Sequence, residues 1–449
     1  MTKYLCIAII FLIMIPVIAV AIPTRDGRSN EQFDTDSMYP SRPAKEPKTA
    51  DDYYQLGLYY LSAKRLQEAN EHFRKALKLD PKHVYSMIGL SAGAFNLGDT
   101  ESATVYANMA IQAQPDKPEV RNAIGEIWMT GANNPKYQSE AEAKFREAIS
   151  LNSGFIPSRI NLARLYMSMG KKDDSEREYK AAVSAQPKNP AVRQELTLFY
   201  LNTGAIDNAM SEAKSIVAID PQNPVYHNGL GEIYLRKGMI DEAEKEFLQA
   251  IKIEPKYAPG YKNLGNIQYA KGSPDKAIEE VSKALSYAPD YGDAYSMLGD
   301  IYIARGMYQK ALEQYKKALD DKAIRKLSLL SLISTYNNMA YIYAEQEGNL
   351  EQALSYAQKA KQVAPKQPDI LDTLGWVQYK RGNYKEALPN LKAAADGSPN
   401  NPTIRYHLGL VYHKLGIKDQ AIAELKKSLS ISDKFGEADD AKRLLSELE

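Results

Sequence analysis

Cysteine is nearly missing from this chain: among 449 residues there is one, Cys6. A single thiol excludes any disulfide within the chain, so packing alone must hold the fold. Cys6 lies inside the first apolar run, too early for a lipid-acylated cysteine, and no thiol nucleophile follows it. Excess charge is missing too. Lys and Arg number 57 against 56 Asp and Glu, a net charge of +1. That balance gives no net electrostatic pull toward a phosphate backbone, and no nucleic-acid partner is expected. Histidine is sparse. His72, His83, His227, His407 and His413 form no His-x-x-x-His pair, and the last two fall on different helix faces, so no metal site is expected. There is no Gly-x-Ser-x-Gly and no His-Glu-x-x-His. The stretch "GLGEIY" at 229–234 falls within a helical pattern rather than at a strand-to-helix turn, which excludes a phosphate loop. Neither an enzyme nor a cofactor is expected. Asn-x-Ser/Thr with a non-proline middle residue is also absent, which points toward a bacterial envelope rather than a eukaryotic secretory route.

What is plentiful is tyrosine, 31 residues against 9 Phe and 2 Trp. Tyrosine suits half-buried positions, where the ring packs and the hydroxyl stays wet. One long apolar run stands out, "YLCIAIIFLIMIPVIAVAI" from Tyr4 to Ile22. Two readings of residues 1–23 are open. The run is long enough to anchor the chain in a bilayer, and it ends in Ala19-Val20-Ala21, a small-x-small pattern for signal-peptide cleavage. On either reading the body is expected to be exported, periplasmic or anchored to the inner membrane facing the periplasm. An anchor with its carboxyl side inward would make it a cytosol-facing adaptor instead. Residues 24–49 are polar, proline-containing and without periodicity, and are expected to form a flexible linker.

From residue 50 the sequence repeats. Gly170, Gly204, Gly238, Gly272 and Gly306 are 34 residues apart, as are Pro187, Pro221, Pro255 and Pro289; Gly382 and Gly416, and Pro365 and Pro399, keep the period. Eleven copies start near 50, 84, 118, 156, 190, 224, 258, 292, 333, 368 and 402. Numbered from its own start, each copy has Leu-Gly near 7 and 8, a small residue at 20, a larger one at 24, Gly near 15 and Pro at 32. Leu230-Gly231, Leu374-Gly375, Ala243, Phe73, Phe145, Tyr179, Phe247 and Tyr315 show the pattern. A glycine in the first helix lets the second approach, a small residue fits the tight crossing, and Gly and Pro end the helices. Three irregularities interrupt the period. Four extra residues enter copy three at "GANNPKYQSEAEA", between its helices. About seven, within "AIRKLSLLSLIST", precede copy nine, where Leu327, Leu330 and Ile333 keep helical spacing and predict a lengthened helix. One more enters at "EQEGN".

A 34-residue period with this Leu-Gly, Ala and Pro pattern resembles the tetratricopeptide repeat family over about residues 50–435. The resemblance implies an all-α, right-handed superhelical solenoid of about eleven helix hairpins: copies 1–8 over 50–322, an inserted helix extension with copies 9–11 over 323–435, and a capping helix over 436–449. In that cap Ala441, Leu444, Leu445 and Leu448 share one face. It also implies a groove lined by first-helix positions 2, 5, 9, 12 and 13, in which a protein or peptide partner lies. One branch of the family grips chaperone carboxyl tails through a five-residue clamp. Lys262 and Asn266 match its first pair, but Met297 stands where the clamp needs Asn, and Ser334 and Asn338 replace its basic pair. The clamp is incomplete.

Copies six and ten differ at position 9, where "GLGEIYLRKGMIDEAE" has Glu232 and "TLGWVQYKRGNYKEAL" has Trp376. With Tyr341, Tyr379 and Tyr406, Trp376 would form an aromatic groove patch bordered by Asp369 and Asp372; alternatively it packs against its neighbours and stiffens the array. Trp128, at position 11, is expected inside. The stretch 337–382 resembles repeat arrays of bacterial envelope proteins serving exopolysaccharide export, pilus assembly or outer-membrane biogenesis. The expected function is a non-enzymatic protein-binding scaffold of the envelope; a regulatory subunit of an enzyme complex is a third reading.

Overall fold

The computed structural model describes residues 47–346 and 348–449. These form 23 α-helices and a short 3₁₀ turn, with no strand among the described residues. The apolar run at 4–22 and most of the polar linker lie outside them, as does Glu347 of "EQEGN". Contacts divide the chain into two bodies, one ending at Pro221 and one running from Gln222 to Glu449. The first body holds five antiparallel hairpins: α1 (Ala50–Ser62) with α2 (Leu66–Leu79), α3 (Val84–Asn96) with α4 (Thr100–Ala113), α5 (Pro118–Met129) with α6 (Pro135–Leu151), α7 (Ile156–Ser168) with α8 (Lys172–Ala185), and α9 (Pro190–Thr203) with α10 (Ile206–Ile219). The second holds six: α11 (Pro224–Arg236) with α12 (Ile240–Ile253), α13 (Ala258–Ala270) with α14 (Pro274–Tyr287), α15 (Gly292–Ala304) with α16 (Tyr308–Ala318), α17 (Leu329–Glu345) with α18 (Leu350–Val363), α19 (Pro368–Lys380) with α20 (Tyr384–Gly397), and α21 (Pro402–Lys414) with α22 (Lys418–Ile431). Helix α23 (Ala438–Leu448) closes it. The fold is an all-α solenoid of helical hairpins.

Local chemistry starts and stops these helices. Asn134, Asn189, Asn223 and Asn401 each cap a helix that opens with proline, their side chains accepting a backbone N–H two residues on. Proline at that first position lacks only an N–H that would have no helical partner. Nine turns carry a glycine with φ between 62° and 82°, the left-handed region that costs glycine nothing. In the first hairpin Lys64 takes this conformation at φ 59°.

The core of each hairpin is a size match between its two helices. Position 20 is fully buried in all eleven copies, Ala69, Ala243 and Ala421 among them. A Cβ built on the position-8 glycine would meet the position-24 side chain of the same hairpin. Gly57 would meet Phe73, Gly231 would meet Phe247 and Gly299 would meet Tyr315, at 2.4, 2.5 and 2.3 Å. Where position 8 is larger, in Ser91, Thr197 and Ala340, position 24 is alanine: Ala107, Ala213 and Ala357. Ala163 with Tyr179 departs from the rule. There position 20 is Ser175, whose hydroxyl donates to the Ala163 carbonyl at 2.8 Å.

The irregular copies lengthen helices. The extra residues of copy three mostly join its second helix, so that α6 has 17 residues rather than lying behind a longer loop. Before copy nine the chain makes a 3₁₀ turn (Ala323–Lys326), then Ser328 caps the 17-residue α17 by accepting from Ser331 N. Leu327 is extended and outside the helix, contrary to the helical spacing read for it. At the end of the chain, α23 lays Ala441, Leu444, Leu445 and Leu448 over Tyr406 and Leu425. Trp128 is 5% exposed, against Phe95 and Tyr137.

Candidate functional site

First helices hide their small residues against second helices and leave one stripe toward solvent. In α15 the stripe is Asp293, Met297, Asp300 and Ala304, each at least partly exposed and spaced by three or four. In α11 it contains Val225, Gly229, Glu232 and Arg236, and in α19 it contains Asp369, Trp376 and Lys380. Positions 2, 9 and 13 are thus the open side of the second body's first helices.

A polar lock recurs between consecutive first helices. In the first body, Asn161 at position 6 donates to Asn122 Oδ1 (3.1 Å) and Glu126 Oε1 (2.7 Å), positions 5 and 9 of the copy before. Burial pushes the Glu126 carboxyl up, against the pull of hydrogen bonds from Asn161 and Asn122. In the second body Asn263 repeats the bonds to Asn228 (2.9 Å) and Glu232 (3.1 Å). Asn338 donates to Asp300 Oδ1 at 2.9 Å.

At the last hairpin-to-hairpin junction the same positions hold different chemistry. Position 6 is His407, whose Nδ1 lies 2.9 Å from Asp372 Oδ1, and whose ring stacks on Trp376 at 4.1 Å and 14°. Trp376 therefore does for His407 what Glu232 does for Asn263, offering a π face where the other copy offers a carboxylate. Tyr379 stacks on the same indole at 5.1 Å, Lys380 Nζ sits 5.5 Å from its centroid, and Trp376 Nε1 donates to Glu345 Oε1 at 2.6 Å. Glu345 is also paired with Lys380 at 2.7 Å. Burial pulls His407 toward the neutral form, but the Asp372 charge and hydrogen bond, with Glu437 and Glu345 behind them, outweigh it and raise its pKa above the ordinary value.

Trp376 and Tyr379 are together and half-buried on the open face, and Tyr341 is 41% exposed on α17. Tyr406 is not in the patch: it is 7% exposed and packs beneath the cap, 6.1 Å from the Phe435 ring. Asp372 already has its cation in His407, and Asp369 is exposed. Lys262 Nζ donates to Asn263 Oδ1 at 2.9 Å, and Asn266 is exposed one turn along. Sequence reasoning missed His407, Glu345 and Asp300. The signal was available for the first, since position 6 faces the preceding copy and Asn263 and Asn338 hold it elsewhere, and for the last, which is the position-9 partner of Asn338.

These features define a helical-repeat solenoid with a solvent-facing first-helix side. Models of the tetratricopeptide repeat match residues 139–198 and 200–266, 256–322, 333–367 and 402–435, and 375–416, and a model of the cilia and flagella-associated protein 70 middle TPR-like domain matches 29–132. Together they span more than half of the sequence, and the chain belongs to the tetratricopeptide repeat family. Human protein O-mannosyl-transferase TMTC3 is 26% identical over 124 residues, which are 27% of this chain; the match spans 13% of that relative's length. Among solved structures, the APC/C hetero-tetramer Cut9-Hcn1 aligns with 89% of this chain and 90% of its own at 15% identity, with a TM-score of 0.49. MamA aligns with 36% of this chain and 96% of its own at 27% identity, with a TM-score of 0.31.

Proposed function

We propose that the chain is a non-enzymatic scaffold of a bacterial cell envelope that holds an extended segment of a partner protein along the open first-helix face of residues 222–449. The observation that carries this reading is the stripe itself. Positions 2, 9 and 13 keep Tyr341, Glu232, Asp369 and Lys380 exposed, with Trp376 and Asp300 half-buried beside them, while the helix faces around them are packed. Aromatic rings offer large contact area with few torsions to fix. The apolar run at 4–22 with Ala19-Val20-Ala21 supports export, and the resemblance of 337–382 to envelope repeat arrays supports an assembly role in export, pilus or polysaccharide systems.

A photo-crosslinking residue placed at Tyr341 in living cells, and separately at Leu248 on α12, tests the face. Cross-links to one protein from Tyr341 and not from Leu248 are expected; the opposite pattern would sink the reading. A second orientation rests on Arg25 and Arg28 after the run against Lys3 before it, since positive flanks favour the cytosolic side. Protease protection of the body in intact spheroplasts would establish that cytosol-facing adaptor instead.

A further inference from the structure

The open face of the second body carries several carboxylates, and three of them are already satisfied. Glu345 is paired with Lys380, Asp372 with His407, and Asp293 accepts the backbone N–H of Ser328. Glu232 accepts only from the Asn228 and Asn263 amides, but it is exposed, as is Asp369; Asp300 is different in being withdrawn from water. It is half-buried at position 9 of α15, and its Oδ1 accepts only from neutral donors, the Tyr315 hydroxyl at 2.6 Å and the Asn338 amide at 2.9 Å. Among the described residues no Lys, Arg or His pairs with it. A carboxylate withdrawn from water without a cation is expensive. Burial accordingly pushes this group up to about 6, against the pull of hydrogen bonds from Tyr315, Asn338 and Ser334.

The hydrogen bonds do not need the charge. An asparagine oxygen has two lone pairs and would accept from the same hydroxyl and the same amide. The chain uses asparagine at this very position one copy earlier, in Asn266. A negative charge that the fold does not require, on a face open to solvent, is complementary to something outside the fold. Its surroundings suit a cation on an apolar stem. Tyr269 of α13 lies close enough that the Asp300 charge raises its pKa, after burial. Met297 lies one turn back on the same stripe, and Tyr341 holds the same position on the next first helix. Aromatic rings attract a cation and cover its aliphatic stem.

We infer that Asp300 is the anchor for a lysine or arginine side chain of the extended segment bound along this face. The inference rests on the groove reading above and adds the chemistry of the occupant, a basic peptide.

A linear random peptide library displayed on phage, panned on the full purified chain at pH 7.5, tests it. Selected sequences are expected to share one Lys or Arg. A synthetic peptide of that sequence should lose at least tenfold in affinity for Asp300→Asn, and lose affinity for the native chain as pH is lowered from 7.5 to 5. Asp300→Asn keeps the Tyr315 and Asn338 bonds, and an unchanged circular dichroism spectrum confirms that the loss is not unfolding. Glu101→Gln, an exposed position on α4, should bind the peptide as the native chain does. Selected peptides without a basic residue, or binding indifferent to Asp300→Asn, would overturn the anchor and leave the groove standing. Failure to select any peptide would overturn both.

Discussion

Among the described residues Lys64 is the one most at odds with its own backbone. It holds φ 59° at a turn where nine other loops place glycine, and a left-handed conformation costs a residue with a Cβ about 1 kcal/mol. Lys64→Gly should raise stability by about 0.5–1 kcal/mol, seen as a later midpoint in urea for the first body. Trp376 presents the opposite case, a residue whose surroundings are more complete than its position suggests. His407, Tyr379, Lys380 and Glu345 all engage the indole. Trp376→Ala should therefore destabilise the last hairpins by about 3 kcal/mol, as Trp128→Ala should its own, read as lost amide protection in α19 and α21. Protection equal to the native chain would return Trp376 to a purely partner-facing role. The sequence placed Trp376 at position 9 because the glycine and proline spacing carries the register. It did not reveal the indole's partner, because His407 lies 31 residues on and meets it only through the stacking of one copy on the next. Tyr406 was misplaced for the same reason: its cover is Phe435 and the cap, which no period announces.

Helix pairs are decided by complementary volume. If Gly231 exists to admit Phe247, Gly231→Ala should cost about 2 kcal/mol by overpacking and Phe247→Ala about 3–4 kcal/mol by leaving a cavity. The double variant should cost clearly less than the sum, since each change relieves the other. Additive losses in denaturant titrations would mean that the two sites do not share one space. This level was largely legible: an Ala or Ser at position 20 of every copy, fully buried each time, is a local signal. The extension of α6 was legible in principle too, since Asn134-Pro135 repeats the Asn-Pro helix start of 189–190, 223–224 and 401–402. The packing of α21 on α19 adds a pH dependence. His407 has a raised folded pKa, so its contribution is complete below its unfolded value of about 6.5 and is lost as pH rises through the folded value. Amide exchange in α21, corrected for its intrinsic pH dependence, should accelerate from pH 6 to 8. In Asp372→Asn that change should largely vanish.

At the scale of the whole chain, the repeats supply a fold that needs no particular compartment, and the proposed address is the apolar run of the first residues. No described helix is long and apolar enough to cross a membrane; the proposed attachment or export signal is the apolar run at 4–22. Cleavage after Ala21 would yield a chain beginning at Ile22 and would remove Cys6 with the leader, leaving no thiol anywhere. Export into an oxidising compartment makes most folds depend on disulfides or tolerate free thiols; this one would have neither, its stability being a sum over hairpins and the interfaces between them within each body. Two outcomes follow together. N-terminal sequencing of the native protein should begin at Ile22, and the melting curve of that mature chain should be the same with and without a reductant. A chain still beginning at Met1 or Thr2, recovered in the membrane fraction, would establish the run as an anchor. The melting curve of a 24–449 fragment should then still be indifferent to reductant, because its packing rests on Ala, Gly, Phe and Tyr at positions 8, 20 and 24 and on no sulfur bond.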